Sequence, residues 1–179
     1  MASFYRAIEH ILEHEGGFVN DPNDPGGATK YGVSLRYLLK RGDMLGDFDG
    51  DGDIDIDDIQ GMTVPMAKEV YRSGFWDPNR FGEIKSQLLA TKIFDMAVNM
   101  GSKQAWKLAQ GAASEHGCTL LIDGIVGPQT IKCMNDIEKH DYDVIMTLRL
   151  VQKKFYEGIM VRNPKLQKFA LGWFRRAVF

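Results

Sequence analysis

Apolar residues recur along this 179-residue chain at intervals of three and four, the period of a helix, and almost nowhere in strict alternation. Phe4, Ile8, Ile11 and Leu12 mark a first helix of about three turns, opened by Ser3 as N-cap and closed by Gly16-Gly17. From residue 18 to 34 that period gives way to Asn, Asp, Pro and Gly, the composition of a structured loop or short hairpin. A short helix resumes over 35–40, and an Asp-rich loop follows it. The next helix spans 64–73, with Pro65 in its first turn. Over 84–100, Leu88, Leu89, Ile93, Phe94, Ala97 and Val98 form a broad apolar face, which predicts the central buried helix. Further helices are expected at 103–113, 128–137, 142–156 and 164–175. The fold class is therefore all-α, with no internal repeat and a boundary near Gly117 that leaves a smaller helical C-terminal half.

Composition adds little until charge is divided along the chain. Hydrophobic residues make up 44% and charged residues 26%, the balance of a globular protein with a real core. The net charge of −2 conceals a segregation: residues 47–58 hold seven Asp and no base, leaving 22 bases against 17 acids elsewhere. With a cation on that loop the remaining surface is mildly basic, suited to an anionic polymer. Nothing points to nucleic acid. Cys118 and Cys133 match no metal or redox spacing. They read as buried free thiols, since a single bridge is an odd framework for a chain of this size. The first residues lack the basic and apolar regions of a signal peptide, and no apolar run reaches the ~18 residues of a membrane span.

The most informative stretch runs from His14 to Val33. Glu15 ends a helix, where the macrodipole disfavours a carboxylate, and Ile11, Leu12 and Phe18 flank it with apolar surface. Both effects raise a carboxyl pKa, which is what a general acid protonating a glycosidic oxygen near neutral pH requires. Downstream, Asp24 and Thr29 occupy a Gly-rich loop. A carboxylate and a hydroxyl there can hold a water on the far face of a sugar, as inverting glycosidases do. A helix C-cap followed by an Asx/Pro/Gly turn is the plain structural alternative. Against it, an irregular segment this long and polar is uncommon inside a compact domain unless it serves a function.

Glu15-Gly16-Gly17-Phe18 with Asn20, Pro22, Asp24, Gly26-Gly27, Thr29 and Tyr31-Gly32 resembles glycoside hydrolase family 108. These are phage and bacterial N-acetylmuramidases of the lysozyme superfamily. The resemblance continues in Phe94-Asp95-Met96-Ala97-Val98-Asn99-Met100-Gly101, in Asp123-Gly124-Ile125-Val126-Gly127-Pro128-Gln129-Thr130 and in Gly172-Trp173-Phe174-Arg175-Arg176. It implies a lysozyme-like helical fold and hydrolysis of the β-1,4 bond between N-acetylmuramic acid and N-acetylglucosamine in peptidoglycan. Glu15 is then the catalytic acid, with Asp24 and Thr29 positioning water; Thr29 sits one residue closer than the spacing of phage-type lysozymes. The resemblance divides the chain into a catalytic lobe at 1–116 and a half at 117–179 similar to peptidoglycan-binding modules. A lytic transglycosylase, or a calcium-dependent wall-binding module without turnover, are the competing readings.

Residues 47–58 fit the twelve-residue EF-hand loop. Asp47, Asp49 and Asp51 take its first, third and fifth positions, Gly52 the sharp turn at the sixth, and Asp53 offers its carbonyl at the seventh. Asp58 stands at the twelfth. Hard oxygen donors in this number suit Ca²⁺ in a structural role, and no cofactor is expected for catalysis. The loop interrupts family-like sequence, which makes it an insertion; the alternative is a solvated acidic surface.

Tyr31, Asp95 and Asn99 are the candidate substrate-binding residues, the last two sharing a helix face. Asp95 and Asn99 serve equally as caps for buried backbone. Trp76, Trp106 and Trp173 suit sugar stacking but read more readily as core, and the four histidines show no convergent ligand spacing. The expected protein is a monomer of endolysin type, without membrane insertion. It is made in the cytoplasm without a signal peptide and reaches the wall after release or through another system.

Overall fold

The computed structural model describes residues 1–13, 16–20 and 27–179. Its described residues are predominantly helical, with one two-stranded sheet, so the all-α expectation holds. The chain divides into two compact units, residues 5–78 and residues 1–4 with 79–179. The boundary expected near Gly117 falls inside the second, in the segment joining two of its helices.

The first unit begins in α1 (Phe4–Glu13), whose Ala7, Ile8 and Ile11 are fully buried. The loop that follows contains a small hairpin. β1 (Thr29–Lys30) pairs antiparallel with β2 (Val33–Ser34), Thr29 opposite Ser34 and Lys30 opposite Val33. Tyr31 and Gly32 make the two-residue turn at φ +50° and +73°, both positive as the twist of a tight hairpin demands. Ser34 then caps α2 (Leu35–Arg41) through its hydroxyl, which accepts the Tyr37 amide at 3.2 Å. A six-residue helix, α3 (Ile56–Gly61), follows the acidic loop. Its period is too short to read in advance, yet Ile59 is fully buried. α4 (Val64–Tyr71) opens with Pro65 as expected and widens into a π-helical turn over Arg72–Trp76. That turn brings Phe75 onto Tyr37, ring centroids 5.4 Å apart.

The second unit is built on α5 (Gln87–Met100), capped by Ser86 and buried without interruption from Leu89 to Ala97. It packs against α6 (Ser102–Glu115) and α8 (Asp141–Arg162). Phe81 stacks on Trp106, whose indole N–H donates to Asn79 at 2.9 Å; Trp106 and Trp76 are core. The turn before α7 (Pro128–Asp136) is organised by buried Gln110. Its amide donates to Asp123 and to the Ile125 carbonyl, both at 3.0 Å, and accepts the Gly124 amide at 2.8 Å. Gly124 lies at φ +78°, and a Cβ there would run into the Lys103 carbonyl. The Asp-Gly-x-x-Gly-Pro motif is thus a close approach of two backbones. The helix expected at 142–156 extends to Arg162. That expected at 164–175 splits into a 3₁₀ segment, Pro164–Phe169, and α9 (Ala170–Val178).

One expectation is overturned. Cys118 and Cys133 are not free thiols but a disulfide, their Cα atoms 6.0 Å apart, well inside bridging range. The bond ties the segment leaving α6 to the middle of α7, which two isolated positions in a sequence do not reveal.

A buried polar cluster joins α5 to α9. Lys92, 1% exposed, donates to the carbonyls of Arg176 and Ala177 at 2.9 and 3.3 Å, capping the negative end of α9. Burial holds its ammonium down at about 8; nearby Asp95 opposes that shift and Arg149 adds to it. A lysine with a depressed folded pKa favours folding fully above its unfolded value, and that contribution is lost as pH falls through 8. Between pH 7 and 9 the wild type should therefore gain roughly 1 kcal/mol of stability from this group. Melting curves of wild type and Lys92→Met across that range check it: the gain should vanish in the variant, and parallel pH profiles would refute it.

Candidate active site

Glu15 and Asp24 lie outside the described residues; the frame around them does not. Val19 and Thr29 exchange both backbone hydrogen bonds at 2.8 Å, adding a third extended residue beside β1. The Tyr31 amide donates to the carbonyl of Gly16, the residue after Glu15, at 3.2 Å. The Tyr31 carbonyl in turn accepts the Tyr71 hydroxyl at 3.0 Å, which fastens the hairpin turn to α4. Thr29 is half-buried, and its Oγ1 donates to the Gly27 carbonyl at 3.2 Å. The Lys30 ammonium sits over the Tyr31 ring, 5.5 Å from its centroid. Both ends of the polar loop are therefore pinned by main-chain bonds to short extended segments.

In the other unit, Asp95 is 2% exposed and Asn99 is exposed. Asp95 Oδ1 accepts from the Arg176 guanidinium at 3.0 Å and from the Asn99 amide at 3.3 Å. The Asn99 amide also reaches the Asp95 carbonyl at 2.9 Å. The four-residue spacing brings this pair together, but nothing in it announced Arg176, which a different helix supplies. Lys92 was likewise missed, because it sits within an otherwise apolar stripe.

The acidic loop is wound around its own carboxylates. Asp47 accepts the amides of Gly50 and Gly52 at 2.7 and 3.2 Å. Asp49 accepts the Asp51 amide at 3.2 Å, and Asp51 accepts that of Asp53 at 3.1 Å. Gly52 takes φ +100°, as the sixth position of such a loop needs. Asp58, only 2% exposed, turns back on the loop: Oδ1 accepts the Phe48 amide at 2.6 Å and Oδ2 the Asp55 amide at 2.8 Å. Asp58 also stands in the first turn of α3, completing its capping box with Asp55.

Carboxylate oxygens of Asp47, Asp49 and Asp58 lie within 4.8 Å of one another, as do those of Asp53, Asp55 and Asp58. Asp51 belongs to neither group, and Asp55, absent from the expected ligands, belongs to one. The crowding shifts two of the carboxyls. Asp49 is bonded by the Asp51 amide, which favours its charge, but desolvation and repulsion from Asp51, Asp58 and Asp47 prevail and raise its pKa. Asp53 is raised by repulsion from Asp51 first, then by desolvation and by Asp55.

Comparison with known proteins divides the chain at a different point, between residues 101 and 104. Residues 8–101 match the model of a family described as glycosyl hydrolase 108, and residues 104–178 match a predicted peptidoglycan domain. Among solved structures that resemble the chain is Brucella abortus SagA, at 23% sequence identity and a TM-score of 0.73. That match covers 98% of this chain and 89% of the other, and establishes the shared fold. No curated protein matches. The matched hydrolase segment contains Glu15, the hairpin at 29–34 and the acidic loop at 47–58, and a peptidoglycan segment follows it. The chain belongs to the glycosyl hydrolase 108 family, a glycoside hydrolase whose substrate class is peptidoglycan.

Proposed function

We propose that the protein is an N-acetylmuramidase, hydrolysing the β-1,4 bond between N-acetylmuramic acid and N-acetylglucosamine. The match of residues 8–101 to glycosyl hydrolase 108, with Glu15-Gly16-Gly17-Phe18 inside it, carries this reading. Glu15 protonates the departing glycosidic oxygen, and Asp24 takes a proton from the attacking water. Thr29 helps to hold that water: with its hydroxyl hydrogen on Gly27, its lone pairs remain as acceptors. Tyr31 offers its ring to a sugar. Asn99 offers an exposed amide, and Asp95 acts as a positioning residue for it.

The acidic loop binds Ca²⁺ in this reading, through Asp47, Asp49 and Asp58 with Asp51 and Asp53 contributing as in an EF-hand loop. All are hard oxygen donors, and the mutual repulsion that raises Asp49 and Asp53 is what a divalent cation relieves. Calcium supports the fold and takes no part in bond cleavage. The protein works as a monomer of endolysin type, reaching the wall after release or export.

Digestion of purified peptidoglycan, with mass analysis of the fragments, tests the reaction. A muramidase leaves reducing N-acetylmuramic acid ends and adds one water per cut. Anhydro ends would establish a lytic transglycosylase instead, and wall binding without fragments a module lacking turnover.

A further inference from the structure

The second unit carries a surface that the hydrolase chemistry leaves unused. From residue 144 to 179 the chain holds eight Lys and Arg against a single acid, Glu157, although the whole chain is net −2. Glu157 itself lies 3.8 Å from Lys153. The same segment exposes large apolar side chains. On α8, Met146 and Leu150 are four residues apart and both exposed, so they share one face. On α9, Trp173 and Ala177 face inward, Trp173 stacked on Tyr156 at 5.1 Å. Leu171, Phe174 and Val178 make a second apolar face at i, i+3 and i+7, and Leu171 and Val178 are 65% and 67% exposed.

The two outer faces meet. Met146, Leu150, Phe174 and Val178 line a mainly apolar groove of about 510 Å³, with Arg149 and Lys153 beside them. Cations also lie over aromatic rings here, Lys153 over Phe174 at 5.9 Å and Lys168 over Phe169 at 4.9 Å. An exposed apolar groove bordered by two cations and a single acid, Glu157, marks a surface that something covers. A second copy of the chain would bring Arg149, Lys153 and Arg175 against their own like. A wall polymer would engage the cations and leave Leu150, Leu171 and Val178 in water. A bilayer of anionic phospholipid satisfies both sets: acyl chains take the apolar side chains, and head-group phosphates take the Lys and Arg heads above them.

We propose that the α8–α9 face docks on the surface of an anionic phospholipid membrane. This is adsorption and not spanning, since among the described residues no helix is long and apolar enough to cross one. It goes beyond the hydrolase reading, and holds or fails whichever bond the protein cuts. Its consequence is a hydrolase retained at the membrane face of the wall.

Co-sedimentation of the full chain with vesicles tests it. Binding to mixed phosphatidylethanolamine–phosphatidylglycerol vesicles should exceed binding to phosphatidylcholine vesicles by at least about tenfold and should weaken with added salt. Replacing Lys165, Lys168 and Arg175 together with Gln should cost on the order of a hundredfold, at about fivefold for each cation near an anionic surface. Leu150→Ser with Leu171→Ser should weaken binding to the same vesicles and flatten its dependence on lipid concentration. All five side chains are exposed, and unchanged melting curves show that the variants are folded. Equal binding to neutral and anionic vesicles, no vesicle binding, or undiminished binding by both variants would overturn the proposal. So would a dimer in solution that Leu150→Ser dissociates, or loss of binding to purified peptidoglycan alone.

Discussion

Glu15→Gln should leave the fold intact and lower the rate on purified peptidoglycan by at least about 10²–10⁴-fold. The amide keeps the size and shape of the side chain and loses the one proton that the departing oxygen needs. Glu15 follows the last described residue of α1, Glu13, by two positions. A general acid must hold its proton at the working pH, so the pH–rate profile should fall on its alkaline side as Glu15 ionises. The loss should appear in kcat more than in KM, because proton donation develops in the transition state. Clearing of a peptidoglycan suspension, with melting curves as the control for folding, measures this directly. A folded variant that keeps a tenth of the wild-type rate would remove Glu15 from the role of acid.

Calcium should raise the melting temperature by very roughly 5–11 °C and hardly change the catalytic rate at low temperature. Calcium at ~100 times its dissociation constant adds about 2.7 kcal/mol, and a domain of this size gains about 2–4 °C for each kcal/mol. The unfolded chain cannot preform the site, so binding energy appears as folding stability. The loop is poised for that effect. Its backbone amides already hold Asp47 and Asp58 in place, while Asp49 and Asp53 carry the repulsion of their neighbours. Asp47→Asn with Asp49→Asn is the informative variant, because each amide keeps one acceptor oxygen, for the Gly50 and the Asp51 amide respectively, while both charges disappear; only the Gly52 bond to the second Asp47 oxygen is given up. Asp58→Ala is a poorer choice, since Asp58 also caps α3. The double variant should be insensitive to calcium and to chelator. Superimposable wild-type curves in calcium and in chelator would show the loop to be an acidic surface and nothing more.

Much of the scaffold was legible in advance because its signals are local. Pro65 and Pro128 in first turns and the apolar face of α5 each act over a few residues. A one-dimensional reading therefore finds them. The same holds for Gly52, where a positive φ is a property of the single residue. The errors occur where that locality ends. The 3₁₀ segment Pro164–Phe169 breaks an expected helix. α3 is shorter than two turns, and its formation depends on burying Ile59 and on the Asp55–Asp58 capping box.

By itself, the sequence determined the helical class, the family motif around Glu15 and the charge imbalance of the C-terminal segment. Only the tertiary structure decided which distant residues meet. Asp95 and Arg176 are 81 positions apart, and Lys92 reaches carbonyls 84 and 85 positions away. Cys118 and Cys133 become a bond only when α7 is laid beside the end of α6. Helical period and capping fix the direction of a side chain within one element. Which element it then faces depends on how several apolar faces are buried at once, and no window of sequence contains that information.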